Sequence, residues 1–193
     1  SHYNDGYWLR ETTLNQKEEI IMPITSTVKG DLVERAKQGH YTHIIHGCNC
    51  NNVMGAGIAP QIAKAFEGVL EADENFHVPV GDKERLGDYS YSWSELAADV
   101  EGGYPARGSN WVCVVNLYTQ FGTGGRRIGE PDVDYNAIEE GFKILNTLLG
   151  DGDYKVGIPM IGAGLAGGDW VKIEEIINRV APDLEIELVI FDK

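Results

Sequence analysis

Residues 44–66 read IIHGCNCNNVMGAGIAPQIAKAF, and the folding of this stretch decides the architecture around it. It opens on a strand, His43-Ile44-Ile45-His46, and passes through a polar segment, Gly47 to Asn52, that suits neither strand nor helix. It then turns at Gly55-Ala56-Gly57 and starts a helix with Pro60 in the first turn, where a missing N–H costs nothing. A strand that runs through small residues into a helix N-terminus presents unpaired N–H groups and the positive end of a macrodipole, which together attract an anion. Gly55 and Gly57 allow the backbone to approach a phosphate closely. The same glycines also fit a tight βα turn with no ligand. Three asparagines, a histidine and two cysteines beside the turn favour a site.

The chain has 193 residues, the length of one domain. With 42% hydrophobic and 24% charged residues it reads as an ordinary globule long enough to bury a core. A formal net charge of −14 argues against nonspecific binding to a nucleic-acid backbone or an anionic membrane, since both need excess cations. It leaves open a small anion held by backbone N–H groups. Cys48, Cys50 and Cys113 have neither C-x-x-C spacing nor a second pair to complete a zinc site. They read as reduced thiols of a cytoplasmic protein, packing as small hydrophobes. No targeting sequence or apolar span of membrane length is expected from these residues. Residues 1–19 read as an N-terminal arm in which Tyr7, Trp8 and Leu9 could dock on the body, or as expression-vector residues, of which Ser1-His2 has the look.

Working outward, Ile20 to Val28 is expected as a strand, broken at Lys29-Gly30 before a short helix from Asp31 through Lys37. Asp31 has two readings: a helix cap, or a carboxylate at a strand end that accepts from an exocyclic amine. The helix after the Gly55–Gly57 turn runs to about Phe66. Residues 67–85 read as charged connections, and Leu86 to Tyr91 as a turn into a strand. Residues 94–108 read as a surface excursion rich in Gly and Pro. Trp111 to Tyr118 is a continuous apolar strand, buried on both faces. Asn116 inside it must find hydrogen bonds. The Thr119–Gly125 loop and Arg126-Arg127 follow; the arginines reach a phosphate or are simply solvated. Asp134 starts the longest helix, ending near Leu149, with Ile138, Phe142, Leu145, Leu148 and Leu149 in one stripe. Val156 to Met160 is a short strand feeding a second Gly-rich loop, Ile161 to Gly168. Asp169 caps the helix that follows, and Ile186 to Phe191 is the last strand.

Strands alternating with helices predict a three-layer α/β/α sandwich around a mixed, mostly parallel sheet. Two Gly-rich loops after strands can share the sheet's C-terminal edge, and two anion cradles there suit a pyrophosphate. A dinucleotide-binding Rossmann domain is the rival, but Gly55-Ala56-Gly57 is followed by Ile58-Ala59-Pro60, so G-x-G-x-x-G is not met.

Four collinear motifs resemble the macrodomain family of ADP-ribose-binding proteins, over residues 20–193. Val28-Lys29-Gly30-Asp31-Leu32 resembles the first motif, whose aspartate takes the adenine amine. His46-Gly47-Cys48-Asn49-Cys50-Asn51-Asn52-Val53-Met54-Gly55-Ala56-Gly57-Ile58-Ala59 resembles the Asn-rich first ligand loop. Asn116-Leu117-Tyr118-Thr119-Gln120 resembles the strand end beside the distal ribose. Gly162-Ala163-Gly164-Leu165-Ala166-Gly167-Gly168-Asp169-Trp170 resembles the second phosphate loop.

The H-x-C-N-C-N and N-L-Y-T-Q forms resemble the branch of ADP-ribose-1″-phosphate phosphatases found in yeast, bacteria and phages. A lysine and an aspartate used by ADP-ribosyl-glutamate hydrolases correspond here to Gln120 and Ala166, a departure from that mechanism. Asn49 matches the second asparagine of the Asn-Ala-Ala-Asn hydrolase form, and His46 stands at its first.

The resemblance implies a nucleotide ligand, ADP-ribose or its 1″-phosphate. It implies ligand contacts from Gly30, Asp31, Leu32, Met54, Gly55, Ala56, Gly57, Ile58, Gln120, Ile161, Gly162, Ala163, Gly164 and Leu165. Phe191 either stacks on adenine or is a core aromatic. His46, at a strand end and titrating near neutrality when unperturbed, is the candidate base; its other reading is a buried structural histidine. Asn49 and Asn51 would fix the distal ribose and a water. No C-x5-R loop makes a cysteine the nucleophile. No metal, no other cofactor and a monomer are expected. The alternatives are a non-catalytic ADP-ribose reader, or a hydrolase that removes ADP-ribose from a macromolecule.

Overall fold

A computed structural model of the chain describes residues 22–97, 110–123 and 131–192. The expected N-terminal arm, the start of the first expected strand, most of the Gly/Pro excursion and Arg126-Arg127 lie outside the described residues.

The strands are β1 (Ile24–Gly30), β2 (His43–Asn49), β3 (Tyr89–Glu95), β4 (Trp111–Gln120), β5 (Val156–Ile158) and β6 (Ile186–Phe191). They form one six-stranded sheet in the order β1-β6-β5-β2-β4-β3. Every pairing is parallel except that of β3 with β4. The helices are α1 (Leu32–Lys37), α2 (Ala59–Ala65), α3 (Val69–Glu74), α4 (Tyr135–Leu149) and α5 (Trp170–Val180), with a 3-10 turn at Lys83–Arg85.

Side chains alternate across a strand, so the apolar run of β4 feeds two cores. Val112 and Val114 pack with Ile44 of β2, Leu32 and Val33 of α1, and Ile62 of α2. Cys113, Val115 and Leu117 pack on the opposite face with Ile45, Phe142 of α4 and Ile173 of α5. These are the three expected layers. The stripe Ala137, Ile138, Gly141, Phe142, Leu145 buries α4, while Leu148 falls off that face at 54% exposure. Burying Ile138, Phe142 and Leu145 contributes roughly 1.5–3 kcal/mol each. Gly141 lets α4 approach: a Cβ there would stand 2.5 Å from Leu117 Cδ1. Asp134 Oδ1 accepts from Ala137 N at 3.0 Å and Asp169 Oδ1 from Val171 N at 3.0 Å, so both long helices are capped as the sequence predicts.

Several boundaries differ from expectation: β3 runs on to Glu95 and β4 to Gln120, β5 stops at Ile158, and three others change the reading. β1 continues through Lys29 and Gly30, because its pairing with β6 runs to Gly30–Phe191. β2 continues through Gly47 to Asn49, paired with β4 as far as Gln120. The polar segment is therefore half strand. Residues 67–85 contain α3, opened by Gly68 at φ 87°. Its buried positions are Val69 and Asp73, so a carboxylate sits where a helical apolar stripe would be sought.

Candidate functional site

The C-terminal ends of β1, β2, β4, β5 and β6 frame one cleft with two lobes. The larger, about 800 Å³, lies between the loop after β2, the end of β4 and the loop after β5. The smaller, about 450 Å³, lies between the start of α1 and the end of β6. The lobes share Gly57, Ile58, Pro159 and Met160.

The first loop is wound around Asn49. Its Oδ1 accepts from Asn51 N at 2.9 Å and Val53 N at 3.3 Å, and its Nδ2 donates to Val53 O at 2.6 Å. An asparagine that closes its own following turn in this way fixes the loop before any ligand arrives. Asn51 Nδ2 and Cys50 N both donate to Phe121 O, tying the loop to the segment after β4. No side chain caps the N-terminus of α2. The second loop turns at Gly162, whose φ of 73° strains any other residue. A Cβ there would also stand 2.7 Å from Val133 Cγ2. The loop closes through Gly168 N to Gly162 O at 2.7 Å, and Ala166 O accepts from Asp132 N at 2.8 Å. Between the loops lies Thr119, fully buried, whose hydroxyl has no hydrogen-bond partner and which lines the larger lobe. A Cβ on Gly47 would come within 2.7 Å of that hydroxyl.

Behind the larger lobe runs a buried polar chain. Arg85 Nη1 donates to Asp73 Oδ1 at 2.7 Å, and the Tyr118 hydroxyl donates to the same oxygen at 2.7 Å. Ser90 Oγ bonds the Tyr118 hydroxyl at 2.8 Å, and Asn116 Nδ2 donates to Ser90 Oγ at 3.1 Å and Val69 O at 3.1 Å. With its amide so oriented, Asn116 Oδ1 accepts from His46 Nε2 at 2.6 Å, which leaves Nδ1 as the lone-pair nitrogen beside Cys48 Sγ at 3.8 Å. Burial lowers the His46 pKa, so the imidazole is neutral at pH 7. Burial likewise pushes the Cys48 thiol well above its ordinary value and Cys50 up to about 11. Neither is a thiolate nucleophile.

No protein-family model matches the sequence. A 17.5 kDa protein of the tk-vs intergenic region of Enterobacteria phage T4, itself uncharacterized, is 36% identical over 171 residues, covering 86% of this chain and 96% of the phage protein. The chain belongs to the family of that phage protein. Among solved structures, the macrodomain of Thermus aquaticus DarG superposes with a TM-score of 0.54 at 20% identity, over 87% of this chain and 97% of that one. Thermosipho africanus DarTG, in complex with ADP-ribose, superposes with a TM-score of 0.60 at 18% identity, over 89% of this chain and 42% of that one. This chain has the macrodomain fold.

Within this fold the expected ligand contacts fall on the two lobes as follows. Gly30, Asp31, Leu32 and Phe191 line the smaller lobe, and Gly57 and Ile58 line both. Met54, Gly55, Ala56, Gln120, Ile161, Gly162, Gly164 and Leu165 line the larger lobe. Ala163 lines neither, because its N–H turns back to Met160 O at 3.2 Å. Asp31 Oδ1 accepts from Val33 N at 2.9 Å and Glu34 N at 3.1 Å, so it caps α1 while lining the smaller lobe. Phe191 is 63% exposed, which removes the core-aromatic reading.

Of the expected catalytic residues only Asn49 lines the cleft. Asn51 points to Phe121 instead. His46 is 0% exposed and bonded to Asn116, so the structure does not bring it to a ligand; it takes the structural role, with a side chain rather than backbone as partner. Thr119 and Asp132, both on the larger lobe, escaped the sequence reading. Thr119 stands within a quoted motif and could have been found there; Asp132 lies beyond a Gly/Arg-rich stretch with no spacing rule to place it. Among the described residues no group of three or more His, Cys, Asp or Glu is arranged to hold a metal. No helix among them is long and apolar enough to cross a membrane.

Proposed function

We propose that the cleft binds ADP-ribose and that the protein releases inorganic phosphate from ADP-ribose-1″-phosphate. The observation that carries the reading is the division of the cleft: an apolar lobe with one carboxylate, Asp31, and an exposed aromatic ring, Phe191, opens into a lobe framed by two glycine-rich loops. An adenine with its exocyclic amine suits the first. A pyrophosphate and second ribose suit the second, where closely approachable backbone replaces lysine as the anion partner. The ADP-ribose held by the Thermosipho protein of the same fold is consistent with this assignment.

The chemistry asked of the protein is positioning and charge stabilisation around a transferring phosphoryl group. The polar groups of the larger lobe, from Asn49, Thr119, Gln120 and Asp132, lie on the side away from Asp31, where a terminal phosphate would extend. The test is phosphate release from ADP-ribose-1″-phosphate under excess substrate. Stoichiometric binding without release would leave a reader module. The burial of His46 favours that second reading, since it removes the expected base from the cleft.

A further inference from the structure

We infer that Asp132 is the general base of this site, taking the proton from the water that attacks the terminal phosphate. The inference rests on the proposed phosphatase reading and adds the residue that the cleft otherwise lacks. Of the described residues lining the larger lobe, Asp132 and Cys48 alone carry ionisable side chains. Cys48 is a buried thiol held against His46. Asp132 is therefore the one carboxylate among the described residues of that lobe.

Its position is fixed by the fold. Asn49 pairs with Gln120 across β2 and β4, and Gln120 pairs in turn with Val133 in an isolated bridge. At about 5 Å per strand spacing, the backbone next to Asp132 stands on the order of 10 Å from Asn49, across the width of one sugar phosphate. Asp132 N donates to Ala166 O at 2.8 Å and Val133 N to the same oxygen at 3.3 Å, so the second glycine-rich loop anchors the residue. A carboxylate held this way moves with the loop that would hold the phosphate.

A second cavity of about 490 Å³ lies beyond, bounded by Phe121, Tyr135, Asn136 and Lys172, and Asp132 is the one residue it shares with the larger lobe. In-line displacement needs a water on the side of the phosphorus opposite the ribose, and the second cavity gives Asp132 a face outside the larger lobe on which to hold one. The water oxygen forms the new P–O bond and gives one proton to the Asp132 carboxylate. The bond from phosphorus to the 1″ oxygen breaks, its electron pair stays on that oxygen, which takes a proton from solvent, and Asp132 returns its proton to water. The products are ADP-ribose and inorganic phosphate, and neither an oxidant nor a metal enters the balance.

The experiment compares the full chain with Asp132→Asn, which keeps the size of the side chain and the backbone bonds to Ala166. Phosphate release from ADP-ribose-1″-phosphate, ADP-ribose affinity by calorimetry and the thermal midpoint are measured on both. The expected result is a loss in kcat of roughly 100-fold or more, the usual share of a general base, with the ADP-ribose dissociation constant within about threefold and the midpoint unchanged. Turnover in heavy-oxygen water should place the label in phosphate. Retained turnover in the variant, a loss confined to affinity, or label in ADP-ribose would each overturn the assignment of Asp132 while leaving the phosphatase intact. A wild-type chain that binds ADP-ribose and releases no phosphate overturns the phosphatase reading, and the role of Asp132 with it.

Discussion

Acid should destabilise this fold through a histidine far from the cleft. His43 opens β2, at the end of the sheet opposite the two lobes. It is 3% exposed and lies between the rings of Trp93, at 5.4 Å, and Tyr154, at 4.8 Å, both edge-on. Burial lowers its pKa to about 4. An unfolded histidine titrates near 6.5, so acid protonates the unfolded chain first. A base whose folded pKa is depressed contributes its full stability above the unfolded value and loses it as pH falls toward the folded one. Here the window runs from about 6.5 down to about 4. Between pH 7.5 and 5.5 the loss from His43 alone is about 1.4 kcal/mol. His40 and His46 shift in the same direction, so the wild-type slope includes all three histidines.

Substituting His43→Phe isolates the one contribution. The ring volume is nearly kept. The partner of His43 Nδ1, the Thr42 hydroxyl at 2.9 Å, retains its bonds to Lys155 O and Lys155 N. Urea unfolding followed by tryptophan fluorescence at pH 7.5, 6.5 and 5.5 gives the stability of each chain. The gap between variant and wild type should shift by about 1.4 kcal/mol in the variant's favour over that range, with ADP-ribose affinity at pH 7.5 unaltered. A gap that stays constant with pH refutes the reasoning, because His43 would then titrate alike folded and unfolded.

Three further outcomes are expected. Asp31→Ala should weaken ADP-ribose binding by roughly 1–3 kcal/mol if the carboxylate accepts from adenine, and should also cost about 1 kcal/mol of stability as a lost cap; Asp31→Asn keeps the cap, and an unchanged dissociation constant in both sinks the adenine contact. Arg85→Leu leaves the Asp73 carboxylate buried without its cation, at a cost of roughly 3–5 kcal/mol, read by calorimetry as a drop of roughly 6–20 °C in Tm. Asp169→Ala should remove about 1 kcal/mol by uncapping α5 and leave ADP-ribose affinity alone, as two-probe urea melts and a titration would check.

The central stretch was legible because it combines three local signals: apolar strand residues, a Gly-x-Gly turn and a proline in a helix's first turn. The alternation of strand and helix then gave the layers. What local pattern could not give was the register. His46 looked available because it stands next to a ligand loop in sequence. Only the pairing of β2 with β4 sets it opposite Asn116, and that bond holds the fully buried ring out of the cleft. α3 was missed for the same reason, since the partner that makes Asp73 tolerable inside a protein, Arg85, lies twelve residues on. Asp132 lines the larger lobe because Ala166 and Gln120 hold its neighbourhood, contacts that no spacing in the sequence announces.

The central claim is that the two-lobed cleft takes ADP-ribose. Calorimetric titration of the full chain with ADP-ribose tests it most directly. The expected result is saturable binding of one ligand per chain, weakened by Asp31→Asn. Absence of saturable heat up to millimolar ADP-ribose, from a chain shown to be folded by its cooperative melt, would contradict it.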